Sequence, residues 1–165
     1  MPTTVTGIQS ISFPLESFGM RGLEFEVIWF DQDAIELRVM CSNGSFCGTA
    51  KMYLAHDDLS KAAQTLSGFP SSIEDSRRVQ LGAIEPNSAG GGIEMTFRCI
   101  DSAGHAVVDV RLTAEGDGGN CDCQSVFLRI PVEAAAIDSF VEKARTVDDT
   151  KGAKAYLGMA DRSVA

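Results

Sequence analysis

The sequence predicts an α+β domain built mainly on antiparallel β-strands, with one helix in the middle of the chain and one near its C-terminal end. Three observations support this prediction. Short segments alternate apolar and polar residues, two longer segments repeat apolar residues at helical spacing, and turn residues rather than helices separate most of the strands. Strands that follow one another through short turns pair in the antiparallel sense.

Seven segments have the alternation expected of half-buried strands. The clearest is 23–30, in which Leu23, Phe25, Val27 and Trp29 share one face and glutamates occupy the other. The other six are 34–41, 46–54, 76–81, 93–100, 105–114 and a last strand that contains Val126, Leu128 and Ile130. Together with a weaker candidate between Ile8 and Phe13, they predict seven or eight strands.

The alternation also assigns side chains to faces of the predicted sheet. Trp29 and Phe46 fall on inward-facing positions, whereas Phe30, Met40 and Tyr53 lie opposite the main apolar stripes. Either a loop or a second layer covers those three side chains, or they form an exposed apolar patch of the kind used in binding. The charged residues at outward positions predict one solvated face of acidic character.

Two segments have the spacing of amphipathic helices. In the first, at about 57–67, Asp57 is placed to cap the N-terminus and Gly68 to end the helix. In the second, at about 131–146, Pro131 suits the first helical position because proline has no N–H to leave unbonded. Both helices are expected to pack on the sheet.

The 165 residues favour a single domain, with its core at about 23–146. Residues 1–22 are predicted to form a peripheral strand or loop. The tail at 148–165 has few apolar anchors and is expected to be loosely held.

Charge and cysteine content narrow the classes of function. The formal net charge of −9 argues against a nucleic-acid-binding protein and is compatible with a basic protein partner. The N-terminus does not have the pattern of a signal peptide, and no apolar run approaches the roughly 20 residues of a membrane helix. Five cysteines, an odd number, then predict free thiols and a cytoplasmic location.

Cys121 and Cys123 form a C-x-C pair whose side chains share one face of a strand, as a metal site would need. Structural zinc requires four ligands, and no second pair is present, although Cys99 would approach if the strands align. The simpler interpretation is two thiols beside a flexible glycine-rich loop.

The two histidines are the remaining candidates for chemistry. His56 precedes Asp57 and Asp58 at a helix start, where the aspartates are better explained by the cap and the helix dipole. His105 follows the turn at Asp101–Gly104 and would be oriented by Asp101 or paired with Cys99. A hairpin tip is open to water and offers no pocket and no donor for an oxyanion, so the sequence predicts no catalytic residue, metal or cofactor.

A resemblance emerges from the order of features. The strand AIELRVM, the F-x-G of Phe46–Gly48, the helix ending LSGFP, D-x-x-G-H at 101–105, VVDVRL and FLRIPVEAAAIDSFVEKAR follow one another along 23–145. With these features in this order, the chain resembles small uncharacterised bacterial proteins similar to the WapI-type toxin immunity family. The resemblance implies an intracellular protein that acts by binding a toxin and has no catalytic residues.

Three functional hypotheses follow. The first is a binding protein, in the form of an immunity-type inhibitor whose acidic surface meets a basic toxin. The second is a small-ligand-binding protein or enzyme with a pocket between sheet and helices near Cys121, Cys123 and His105. The third is a structural subunit without an activity of its own.

Overall fold

A computed structural model describes residues 19–85, 90–116, 123–147 and 150–161 of the chain. It contains eight strands and two helices in these residues. They are β1 (Gly22–Phe30), β2 (Ile35–Ser42), β3 (Cys47–Leu54), α1 (Asp58–Leu66), β4 (Ser76–Gly82), β5 (Gly92–Cys99), β6 (His105–Ala114), β7 (Gln124–Glu133), α2 (Ala134–Ala144) and β8 (Lys154–Gly158).

The strands form two four-stranded sheets. The first sheet has the order β3-β2-β1-β8 and the second the order β4-β5-β6-β7, with every neighbouring pair antiparallel. The predicted α+β class, antiparallel pairing and two helices are confirmed. The division into two sheets is new, because alternation along a strand does not identify which strand lies beside it.

One continuous apolar cluster joins the inner faces of both sheets and the two helices. The Phe140 ring of α2 meets Phe25 of β1 edge-on, with ring centroids 5.2 Å apart. Phe69, just beyond α1, meets Phe97 of β5 in the same way at 5.9 Å. The sheets also contact each other through β3, which approaches β4, β5 and β6. Neither helix is long and apolar enough to cross a membrane in the part of the chain described.

The first helix agrees with its prediction, whereas the second begins later than expected. Pro131 is part of β7 and does not begin α2, which starts at Ala134. Pro131 is tolerated because β7 is an edge strand of the second sheet, where a missing N–H need not cost a ladder hydrogen bond. Its carbonyl oxygen accepts a hydrogen bond from the Ala160 amide at 2.8 Å.

The expectation of a loosely held tail is wrong for 154–158. These residues form β8, which pairs with β1 in a register that places Ala155 opposite Phe25 and Leu157 opposite Leu23. Both side chains are fully buried. A strand of five residues contributes only two apolar side chains to the core, too few for a periodicity signal. The predicted strand between Ile8 and Phe13 lies outside the described residues.

Three aromatic residues lie on faces other than those predicted, and one of them, Phe30, pairs with the buried Ile35 of the inner face although it is 39% exposed. The register of β1 shifts between Val27 and Trp29, as at a β-bulge, so Trp29 pairs with Glu36 on the outer face. Its side chain is 43% exposed. Phe46 precedes β3, in the turn that Asn43 organises by accepting the Ser45 and Phe46 amides, and it is also exposed.

The outer faces of the two sheets differ in charge. The first carries three glutamates and three cations on neighbouring strands: Glu24, Glu26, Glu36, Arg38, Lys51 and Lys154. The second carries four arginines and three carboxylates: Arg78, Arg98, Arg111, Arg129, Glu94, Asp109 and Glu133. The predicted acidic face is therefore wrong for both sheets, since one is balanced and the other has net positive charge.

Candidate functional site

Aromatic and acidic side chains gather at the end of the first sheet where β1 turns into β2 and β3 leads into α1. We call this region the acidic–aromatic end. It consists of Trp29, Phe30, Asp31, Asp33, Glu36, Tyr53, Asp57 and Asp58. Five of these eight residues are carboxylates and none is a cation, so the end has a strong negative charge, although Lys61 forms an ion pair with Asp57.

The β1–β2 turn holds the first part of this end. The Asp31 carboxylate accepts hydrogen bonds from the amides of Asp33 and Ala34, at 2.8 and 3.0 Å. These bonds lower the pKa of Asp31, because they stabilise its ionised form. The His56 ring donates from Nε2 to the Asp31 carbonyl oxygen at 2.7 Å, which ties the end of β3 to this turn.

The start of α1 supplies the other part. Asp57 occupies the predicted capping position, but its side chain makes no capping hydrogen bond and instead forms an ion pair with Lys61 at 2.6 Å. The hydrogen bond from Lys61 lowers the pKa of Asp57. Asp58 accepts the Ala55 amide at 2.9 Å. Both carboxylates are thus held by contacts within the start of α1 and the residues just before it.

Trp29, Glu36 and Tyr53 form a row across three strands on the outer face of the first sheet. Glu36 pairs with Trp29 of β1 on one side and with Tyr53 of β3 on the other. Paired residues share a face, so the carboxylate lies between an indole and a phenol whose Cα atoms are about 10 Å apart. The Tyr53 side chain is 60% exposed.

This row has the chemistry of a cation receptor. A guanidinium or ammonium group above Glu36 would meet a carboxylate below it and an aromatic side chain on each side. Tryptophan and tyrosine are also the residues most often found to dominate protein interfaces. Of the residues predicted to be possible binding positions, Tyr53 and Phe30 lie at this end and are exposed, whereas Met40 is half-buried further along β2.

The hairpin between β5 and β6 brings together Cys99, Asp101 and His105. The His105 ring lies 2.5 Å from the Asp101 carboxylate, measured from Nδ1, and this contact lowers the pKa of Asp101. Asp101 also accepts the amides of Ala103 and His105. The Cys99 thiol donates to the Asp101 backbone carbonyl at 3.1 Å rather than to His105. The three residues therefore stabilise the turn, and no thiol–imidazole pair forms.

His105 and Cys123 lie at opposite ends of the second sheet. His105 pairs with Glu133, whereas Gln124, next to Cys123, pairs with Ala114 at the far end of β6. The rise along a strand puts these ends roughly 30 Å apart. The structure therefore does not bring Cys123 and His105 into one pocket, and Cys121 lies outside the described residues.

A small groove lies next to Gln124, the residue that follows Cys123 in the chain. It encloses about 180 Å³ and is lined by Cys47, Gly48, Thr49, Leu112, Ala114, Gln124, Ser125 and Val126. The Cys47 thiol is exposed there, while burial raises the pKa of the neighbouring Cys41 to about 11. Within 19–85, 90–116, 123–147 and 150–161, no three His, Cys, Asp or Glu residues are grouped so that they would hold a metal ion.

Sequence reasoning missed the acidic–aromatic end as a unit. The cluster Trp29, Phe30, Asp31 is contiguous in the sequence and was a usable signal. The bulge that turns Trp29 outward and the hydrogen bond from His56 that joins the two turns depend on tertiary structure.

Comparison of the chain with models of protein families, with curated proteins and with solved structures finds no match.

Proposed function

We propose that this chain is a protein-binding protein whose acidic–aromatic end receives basic side chains of a partner protein. The observation that carries the proposal is the row Trp29–Glu36–Tyr53, in which a carboxylate lies between two exposed aromatic residues. The surrounding carboxylates would attract a basic partner before contact and so increase the rate of association.

An immunity-type role is the specific form of this proposal. The resemblance to the WapI-type immunity family makes a basic toxin the first partner to test. The proposal requires no active site, because an inhibitor of this kind acts by covering a surface of its target.

Trp29 gives a direct assay, because it is the only tryptophan in the chain. We expect titration with an arginine-rich peptide to change the Trp29 emission, because a bound guanidinium alters the surroundings of the indole. Glu36→Gln and Tyr53→Ala should weaken the affinity by about five- to tenfold each, equivalent to roughly 1–1.4 kcal/mol. High salt should weaken it further.

Tyr156→Ala is the matched control. Tyr156 is an aromatic residue on the same outer face at 46% exposure, but it pairs with Glu24 and is not part of the Trp29–Glu36–Tyr53 row. Its peptide affinity should equal that of the wild type. Equal affinity for an aspartate-rich peptide, or no effect of Glu36→Gln, would contradict the proposal.

The natural partner can be sought by affinity capture from the producing organism with the wild type and with Trp29→Ala. We expect a basic protein that the wild type retains and Trp29→Ala loses. Capture that is identical for the two proteins would show that this end is not the interface.

A further inference from the structure

The edge of β4 is open along the second sheet. The Cys99 amide donates to the Asp75 carbonyl at 3.1 Å, and the Ala83 amide donates to the Gly91 carbonyl at 3.0 Å. The odd-numbered residues of this segment therefore direct their backbone groups towards β5. The N–H and C=O groups of Arg78 and Gln80 point the other way, and they make no backbone hydrogen bond to any described residue outside the sheet.

The edges of the other outer strands are occupied or short. On β7, Asn43 donates to the Arg129 carbonyl at 3.3 Å, and Pro131 has no N–H to offer. On β3, the Lys51 carbonyl accepts the Gly91 amide at 3.0 Å. β8 has only five residues and packs against α2. Proteins normally protect exposed edges in such ways, so an unprotected one is a place for another chain to pair.

A groove runs along this open edge beside α1. It encloses about 320 Å³, and one wall is formed by five consecutive residues of β4, Arg78–Gly82. The other wall is formed by one side of α1: Asp58, Lys61, Ala62 and Thr65. Because consecutive residues of β4 line the groove, it follows the edge of the strand and not one face.

The walls of the groove present cations on both sides of the edge. Lys61 lies on the α1 side, and its ion pair with Asp57 is exposed and therefore weak. Arg78 lies on the outer face of the sheet in an ion pair with Glu94, and Arg98, which follows on β5, forms an ion pair with Asp109. The carboxylate of Asp58, the one acidic residue among the lining residues, is already bound to the Ala55 amide.

We propose that the free edge of β4 accepts an extended, carboxylate-bearing segment of a partner protein as a fifth strand of the second sheet. The backbone groups of Arg78 and Gln80 would bond to that strand, which is the recognition mode of β-strand addition. Its side chains would alternate between the Arg78 face and the Lys61 wall, so glutamates or aspartates on either face would meet a cation. This second surface adjoins the acidic–aromatic end at Asp58, which belongs to both, and binds the opposite charge.

Amide hydrogen exchange followed by NMR tests the proposal, because strand addition has an alternating signature. The probe is a blocked seven-residue peptide of alternating valine and glutamate. At saturating peptide, the Arg78 and Gln80 amides should exchange at least about tenfold more slowly, whereas Val79 and Leu81, already bonded to β5, should not change. The same peptide with lysine in place of glutamate should bind at least about fivefold more weakly.

Variants separate the backbone contribution from the charge contribution. Gln80→Pro removes an outward N–H and should abolish peptide binding, whereas Gln80→Ala keeps that N–H and should bind normally. Arg78→Gln should weaken binding several-fold, and Arg111→Gln, on the same face but two strands away, should not. Circular dichroism checks that each variant is folded.

Unchanged exchange at Arg78 and Gln80 with millimolar peptide would overturn the proposal, whether or not Gln80→Pro folds. Equal binding of the lysine peptide would overturn the assignment of a carboxylate-bearing partner. Protection of Arg78 and Gln80 that rises with protein concentration in the absence of peptide would instead identify a second copy of this chain as the occupant.

Discussion

Arg77 joins the end of α1 to the start of β4. Its guanidinium donates to the backbone carbonyls of Thr65 and Ser67, at 3.0 and 2.7 Å, and to both oxygens of Asp75. It also lies over the Phe69 ring, 5.5 Å from the centroid. One planar side chain thus satisfies carbonyl groups that the end of a helix leaves unpaired.

Asp75 should make the stability of the fold depend on pH below neutrality. The hydrogen bond from Arg77, with further bonds from Ser71, lowers its pKa from 3.8 to about 2. Because the pKa of Asp75 is lower in the folded protein than in the unfolded chain, its ionised form stabilises the fold at pH values above the pKa of the unfolded chain. This stabilisation is lost as the pH falls towards the pKa in the folded protein. Between pH 6 and pH 2, we expect Asp75 to contribute a loss of up to about 2 kcal/mol.

Urea denaturation of wild type and Asp75→Asn at pH 6, 4 and 2.5 measures this contribution. The variant should be less stable at pH 6, and the difference should shrink as the pH falls. Asp33→Asn, a change of an exposed carboxylate, should follow the wild-type curve. A difference between wild type and Asp75→Asn that stays constant across the range would contradict the assignment.

At the scale of the element, β8 completes the first sheet. Leu157 is fully buried opposite Leu23, and the Gly22 backbone lies so close to Leu157 that a Cβ at Gly22 would sit 2.1 Å from the Leu157 carbonyl oxygen. Gly22 has a φ of +133°, a conformation that side chains rarely adopt. The first residue of β1 must therefore be glycine for β1 and β8 to approach this closely.

Leu157→Ala should destabilise the protein by about 2–5 kcal/mol, because it leaves a cavity under the first sheet. Chemical denaturation measures the loss. Lys154→Ala, in the same strand, removes the surface ion pairs of Lys154 with Glu24 and Glu26 and should cost less than about 1 kcal/mol. Equal effects of the two substitutions would mean that β8 does not contribute to the core in solution.

The length of an element largely decides whether the sequence could predict it. β2 and β6, with eight and ten residues of clear alternation, agree with their predicted bounds to within a residue. β8 was missed because it is short, and Pro131 was misplaced because its tolerance depends on being at a sheet edge. Candidate residues close in sequence, such as Asp101 and His105, were correctly placed together, whereas the Trp29–Glu36–Tyr53 row depends on strand register.

At the scale of the whole molecule, the two sheets come closest where β3 passes the second sheet. A Cβ added at Gly48 would lie 2.6 Å from Val126 Cγ1 of β7 and 3.5 Å from Leu112 Cδ2 of β6. Glycine at this position therefore permits the approach of the sheets. The two sheets also differ in charge: carboxylates are concentrated at one end of the first sheet, and arginines lie on the outer face of the second.

Gly48→Ala should cost about 1–3 kcal/mol, because the new methyl group overlaps a stiff β-branched side chain. Combining it with Val126→Ala should restore part of that loss, so that the two changes together cost less than the sum of the separate changes. A double-mutant cycle measured by denaturation gives this coupling. Strict additivity would show that the two sheets do not meet at Gly48 and Val126.

The position of β8 also has a consequence for the order of events during synthesis. β1 lies between β2, which emerges soon after it, and β8, which emerges after every other described element. On the ribosome, the hairpins of both sheets are available to fold while the second side of β1 still lacks its partner. The long-range pairing of Gly22 with Gly158 is therefore expected to be a late step, and a nascent chain stalled before Lys154 would expose β1 as an unpaired edge.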